Sequence, residues 1–324
     1  MIASGVEICA AALVRQCQVF NASPKEPDSF FEPQPDGSQS VCPSPDYDLV
    51  PMGDHFWPLE RLRVISAWQR GDFSEAQIWL SSHQIRQNLL YKLAGILGRD
   101  TNWESSKFLT LIGDWLRSND LAKLEPGEQI KAWQEQLCSI KDGKFVQTWE
   151  TSFLIDLPLY RKNYTTAFIQ FAQTLERLLY FHSQSGDFIG KGFIIPPNTN
   201  NFKKPYQPGL SLLLDGWCKS QKIDYHNKWY KLLHRIRDKR NEVVHSAEPV
   251  TLSQIRSIWS NEGLFPVKHT EDPEAIGELM MDVLKKVCDH TWQIPEKTLL
   301  RSLYEWGLNR LLAESASSQS VKCK

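Results

Sequence analysis

The sequence predicts a mainly α-helical chain: a C-terminal helical bundle, a helical subdomain ahead of it and a short α/β remnant at the start. Two observations carry that prediction. From Trp57 onward, apolar residues recur three and four positions apart in one segment after another, the period of an amphipathic helix. Before that point Pro24, Pro27, Pro33, Pro35, Pro43, Pro45 and Pro51 interrupt the stretch 21–52 and leave room for an extended connection and little else. With 324 residues, 41% of them hydrophobic, the chain has apolar material for more than one core. The expected division is 1–55 for the remnant and its Pro-rich connection, 56–154 for the helical subdomain, 155–312 for the bundle and 313–324 for a disordered tail.

Residues 1–20 pattern as a short amphipathic helix followed by a strand at 18–20. One helix and one strand cannot close a domain, so this start is expected to be the end of an α/β unit. Leu59, Leu62, Val64, Ile65 and Trp68 then mark an amphipathic helix. The turn at Gly71-Asp72-Phe73 leads to a helix over 75–80, with Ser74 as the expected N-cap. Helices follow at 84–97, 107–116 and 128–140. A long helix spans 156–183, with Phe168, Phe171, Leu175, Leu178, Leu179 and Phe181 on its apolar face and Glu176 beside it. Glycines and prolines make 185–207 a loop; no Lys-Ser/Thr follows its glycines and no strand leads in, so it does not cradle phosphate. After a short helix at 208–218 comes the segment 227–246, then 251–260 with Leu252, Ile255, Ile258 and Trp259 inward. Asp272 caps and Pro273 opens a helix to 290 carrying Ile276, Leu279, Met280, Val283, Leu284 and Val287. The last helix occupies 296–312, and the Ser-rich end beyond it has no core-forming pattern.

A formal net charge of −1 removes any global nucleic-acid signal, so an RNA-binding surface has to be local. The 12 tryptophans mostly stand at helical spacing from other apolar residues and are expected in cores rather than as base-stacking platforms. The 7 cysteines are scattered, without Cys-x-x-Cys or zinc-ligand spacing, and read as reduced thiols; no metal site and no cofactor is expected. No apolar run reaches membrane-spanning length, and the first residues carry Glu7 and lack a basic leader. The expected location is the cytoplasm, with no membrane partner.

Chemistry concentrates in 227–246, an amphipathic helix with Trp229, Leu232, Leu233, Ile236, Val243 and Val244 at helical spacing. Arg240 falls on the same stripe, and a guanidinium turned toward an apolar face calls for an anionic partner. His245 stands in the last turn, where the helix dipole favours a cation, and Asn241 lies one turn back from it. Lys231, His234, Arg235, Arg237 and Lys239 add a basic cluster. Arg and His at this spacing near a helix end suit binding and cleavage of a phosphodiester; a structural ion pair between Arg240 and Glu176, or a solvated helix end, suits the same residues. A second match, Arg177 and His182, encloses only apolar residues and reads as the flank of a packing face.

Arg240-Asn241-Glu242-Val243-Val244-His245, the basic cluster before it and an acidic residue, Glu176, on an earlier long helix together resemble the HEPN ribonuclease domain, over residues 155–312. The wider order is similar to the CARF–HEPN ribonucleases of type III CRISPR systems: a short α/β end, a Pro-rich connection, a helical segment opening near Ile65-Ser66-Ala67-Trp68-Gln69-Arg70-Gly71-Asp72-Phe73, then the bundle. Residues 1–13 are similar to the small-residue helix near the end of the family's cyclic-oligoadenylate-sensing CARF domain, with 18–20 as its strand. The sensing loops and most of that domain's sheet are not in this sequence, which looks like a truncated relative.

The resemblance implies metal-independent cleavage of single-stranded RNA by 2′-hydroxyl attack, in antiviral defence. His245 is then the general acid–base, Arg240 the phosphate clamp and Asn241 an orienting group. It also implies 2′,3′-cyclic phosphate products, a homodimer that completes the site, and a cyclic oligoadenylate activator in full-length relatives. The alternatives are a non-catalytic RNA-binding module and a helical scaffold in which Arg240 simply pairs with Glu176.

Overall fold

The computed structural model describes residues 19–21, 31–33, 35–36, 39–41, 48–50, 52–100, 105–196, 206–260 and 273–319. Within them the chain is mainly helical, as the periodicity predicts. Four three-residue strands, β1 (Val19–Asn21), β2 (Phe31–Pro33), β3 (Gln39–Val41) and β4 (Asp48–Val50), form two antiparallel pairs, β1 with β4 and β2 with β3. The strand expected at 18–20 is thus found one residue later; the small-residue helix expected before it lies outside the described residues.

The helices are α1 (Met52–Gln69), α2 (Phe73–Ser81), α3 (Asn88–Asp100), α4 (Ser105–Leu116), α5 (Asn119–Ala122), α6 (Gly127–Asp142), α7 (Lys144–Glu150), α8 (Phe153–Tyr160), α9 (Tyr164–Ser185), α10 (Leu210–Ser220), α11 (Lys228–Ser246), α12 (Leu252–Ser260), α13 (Pro273–Val287) and α14 (Leu299–Gln319). Several of their bounds depart from expectation. The α2 cap is Asp72, whose carboxylate accepts from the Glu75 N–H at 3.3 Å, not Ser74. The helix expected over 84–97 begins only at Asn88, after a run of turns. The long helix expected over 156–183 is broken into α8 and α9 at Lys162, in the left-handed region at φ 56°; Asn163 then caps α9 through the Thr166 N–H at 3.2 Å. Gly71, at φ 67°, makes the α1–α2 turn against Leu157 of α8, where a side chain would meet both strain and the leucine. The helix α13 ends at Val287 rather than 290, and α14 continues through Gln319, past residue 312 where the disordered tail was expected.

Two apolar cores organise the described residues. The first gathers α1 to α6 around Trp68, Phe73, Leu93, Ile112 and Trp115. The second surrounds α9, whose Phe168, Phe171, Leu175, Leu178 and Leu179 are fully buried as the stripe predicts. Helix α9 packs against α7, α8, α10, α11 and α13, so it, rather than the 227–246 helix, is the axis of the bundle. Helix α8 serves both cores: Phe153, Leu154 and Leu157 face the first, Ile155 and Leu159 the second.

The last helix breaks the linear order. Read along the chain, 296–312 belongs with the bundle; in the fold Leu299, Leu300, Leu303, Tyr304, Trp306 and Leu311 complete the first core instead. Glu150, buried at the end of α7, accepts the Leu299 and Leu300 N–H groups at 3.0 and 3.1 Å and so caps α14 from a remote position. Trp68 Nε1 donates to the Tyr304 carbonyl at 3.0 Å, and Arg301 reaches Asp156 of α8 at 3.5 Å. Trp68, Trp149, Trp217 and Trp259 are fully buried, in keeping with a core role for tryptophan. Leu59 and Leu62, expected inward on α1, are 51% and 58% exposed.

Candidate functional site

Helix α11 starts at an Asn227 cap, with its carboxamide accepting the Trp229 N–H at 2.9 Å. It docks on α9 through Leu232, Leu233, Ile236 and Val243, all buried. Trp229 is only half-buried and Val244 is 50% exposed, so the stripe is narrower than the sequence suggests. The helix closes at Ala247, in the left-handed conformation at φ 53°, ψ 27°. Three residues on, the buried Val250 donates its N–H to Thr165 Oγ1 of α9 at 2.8 Å, fixing the exit of the last turn.

Of the sequence-predicted site residues, the fold brings Arg240, Asn241 and Glu176 together. The Arg240 side chain is 26% exposed; Nη1 donates to Asn241 Oδ1 at 3.2 Å and Nη2 to Glu176 Oε2 of α9 at 3.4 Å. The anionic partner demanded by the position of Arg240 is therefore the acidic residue anticipated on the earlier helix. Those bonds engage two of a guanidinium's five N–H donors. His245 is exposed, and no hydrogen bond or ion pair joins it to another described residue. At four residues' separation Asn241 and His245 share one face of α11, with Arg240 about 100° around from Asn241. The three side chains form a polar strip at the solvent-facing end of the helix.

The basic cluster meets a different fate. Arg237 Nη2 lies 2.6 Å from Asp238, Lys239 Nζ lies 2.9 Å from Glu242 and 3.8 Å from Glu248, and His234 Nε2 lies 3.3 Å from Asp215 of α10. Burial, with Arg237 beside it, lowers the His234 pKa and outweighs the Asp215 carboxylate that pulls the other way. The positive patch expected from sequence is thus largely neutralised by nearby acids. The partners outside α11, Asp215, Glu248 and Thr165, carry no periodic or motif signal toward it.

The second Arg–His match is structural. His182 is buried, donates Nδ1–H to the Val287 carbonyl at 2.6 Å and packs against Phe188 and Trp292. Arg177 lies over the Phe181 ring at 5.6 Å. Cys218 and Cys288, both buried, have their thiol pKa values pushed up to about 12 by burial, which keeps them protonated and unreactive. Among the described residues no group of three or more His, Cys, Asp or Glu side chains is placed to hold a metal ion, and no helix is long and apolar enough to cross a membrane.

No family model, characterised protein or solved structure matches this chain.

Proposed function

We propose that the chain is a metal-independent endoribonuclease of the HEPN type, cleaving single-stranded RNA at Arg240, Asn241 and His245 with the site completed by a second copy. The observation that carries this reading is the Arg240 guanidinium: half-buried, oriented by Glu176 and Asn241, and set on the same helix end as an exposed imidazole. A guanidinium so held is pre-positioned for a phosphate, because its planar fork keeps donors in reserve. His245 supplies the acid–base group; an imidazole exchanges its proton near neutral pH, as 2′-hydroxyl attack and 5′-oxygen departure require. Asn241 lies between them, able to orient either. A single Arg–His pair is sparse for phosphodiester cleavage, and the exposed Val244, next to His245, offers an apolar contact for the α11 of a partner copy.

The test combines labelled single-stranded RNA, excess EDTA and the wild-type, His245→Ala and Arg240→Ala proteins. Expected are a 2′,3′-cyclic phosphate product, a rate lower by about 10²–10⁴ in His245→Ala, intact DNA, which lacks the 2′-hydroxyl, and a dimer by light scattering. Intact RNA in every lane, with or without a cyclic oligoadenylate, overturns the reading.

The ion pairing around α11 favours a second reading, a helical scaffold in which Arg240 and Glu176 only tie α11 to α9. It predicts no RNA binding by any of these proteins. Because Glu176 is 30% exposed, removing Arg240 then costs at most about 1 kcal/mol, the range for solvent-screened pairs, rather than the larger penalty of a buried carboxylate.

A further inference from the structure

An open-sided cavity of about 330 Å³ lies at the surface of the first core, beside α3, α5 and α14, and shares no residue with the α11 site. Its floor is apolar, formed by the buried Leu89, Leu90 and Trp306. This floor is fixed in place: Trp115 packs edge-on against Trp306 at 5.1 Å and donates Nε1–H to the Leu89 carbonyl at 3.0 Å. One wall is the turn after α2, anchored by the buried His83 bonded to Glu60, and Ile85 at its tip is 99% exposed.

Charge around the cavity is predominantly positive. Arg86, Lys123 and Arg310 line it against a single lining carboxylate, Asp120. Asp120 pairs with Lys123 at 3.6 Å, but both side chains are more than half exposed, so the pair is weak. Glu125 lies close by but is turned to Trp306 Nε1 at 2.7 Å. Arg310 is half-buried and has no carboxylate partner among the residues whose side chains are described, which on α14 end at 313. A guanidinium partly withdrawn from water beside an apolar floor favours an anion there, and the volume is that of a small-ligand site.

We propose that this cavity binds a small organic anion, a carboxylate or phosphate monoester carried on an apolar or planar body. Arg310 and Lys123 take the charge, and Leu89, Leu90 and Trp306 take the body. The site stands independently of the ribonuclease reading.

The experiment is calorimetric titration of the full chain with phenyl phosphate and with benzoate, beside inorganic phosphate and benzyl alcohol. At least one aromatic anion is expected to bind about tenfold or more tighter than both half-ligands, since neither of those fills charge and floor together. Its identity separates phosphate from carboxylate ligands. Arg310→Gln is expected to weaken binding about tenfold, as loss of a charge-assisted bond does, with Arg237→Gln unchanged. Lys123→Gln, at a well-exposed position where folding is not at stake, is expected to weaken it in the same direction. No binding of either aromatic anion at millimolar concentration overturns the proposal, as does inorganic phosphate binding equally well. Titration curves unaltered by both Arg310→Gln and Lys123→Gln also overturn it.

Discussion

The two cores solve the same problem in different ways. Around α9, burial is mainly apolar, with the His182–Val287 hydrogen bond as its buried polar tie to α13, and consecutive helices from α7 to α13 supply it; the polar side chains of α11 stay at the rim. Around Trp68 the core is closed by a helix from the far end of the chain, held by polar contacts: the Glu150 cap on α14, the Trp68–Tyr304 hydrogen bond and the Asp156–Arg301 pair. Apolar burial is strong but non-directional, so it settles that a face is covered without settling by what. Hydrogen bonds to buried groups are directional and costly to leave unmade, which makes them suited to selecting one distant helix. The proposed nuclease strip thus sits on the locally built half, whereas the proposed anion cavity exists only because α14 returns to the other.

The largest effect that would break this contrast is expected from Trp68→Ala. It empties a fully buried site and removes the bond to Tyr304, and should cost about 3–5 kcal/mol by urea unfolding. Loss of α14 docking should follow as protease sensitivity near residue 299, while α9 stays protected in hydrogen exchange. Equal loss of protection at α9 would show one cooperative unit instead of two unequal ones.

Next comes Asp156, at the junction. Burial, opposed by Arg301 and reinforced by Glu274 and Glu305, raises its carboxyl pKa from 3.8 to about 6. Well below the unfolded value of 3.8 the group is neutral folded and unfolded, and the junction is at its most stable with respect to this residue. Between pH 4 and 6 the unfolded chain ionises first, and stability falls to a plateau lower by about 3 kcal/mol, at ~1.4 kcal/mol per pH unit. Asp156→Asn should flatten that part of the urea-midpoint profile. A profile with the same slope in wild type and variant would remove Asp156 from the account.

A smaller effect with an informative sign is expected at Gly307 on α14. Helix propensity alone predicts that Gly307→Ala stabilises by up to about 1 kcal/mol. A Cβ at this position runs into the Trp68 indole, so the substitution should destabilise by about 1–3 kcal/mol. Gly127→Ala, at the start of α6 with nothing within 4 Å of the added carbon, is the control and should change stability by no more than ~0.5 kcal/mol. Thermal melts of the pair read both signs directly.

Much of this was legible in the residues. The α9 stripe is buried nearly as read, and Asn241 and His245 lie on one face of α11 because a helical period leaves no other choice. The partnership of Arg240 with Glu176 was legible as well, because a guanidinium on an apolar stripe requires an acid and one stood on the neighbouring long helix. The neutralisation of the basic cluster was missed. Its local half, Asp238 and Glu242, stands in the sequence in plain order; its remote half, Asp215 and Glu248, is set by how α10 and the exit turn pack.

What the sequence alone determined is the helical class, the faces that must be buried and the strip of polar groups at the end of α11, because side-chain spacing fixes angular position on a helix. Only the tertiary structure decided which face meets which: that α14 completes the first core, that Glu150 caps it, that Asp156 sits where its charge is disfavoured, and that a cation-rimmed cavity opens over Trp306. The physical reason is that these depend on pairs of residues far apart in the chain, and no local pattern records the partner that satisfies a buried polar group.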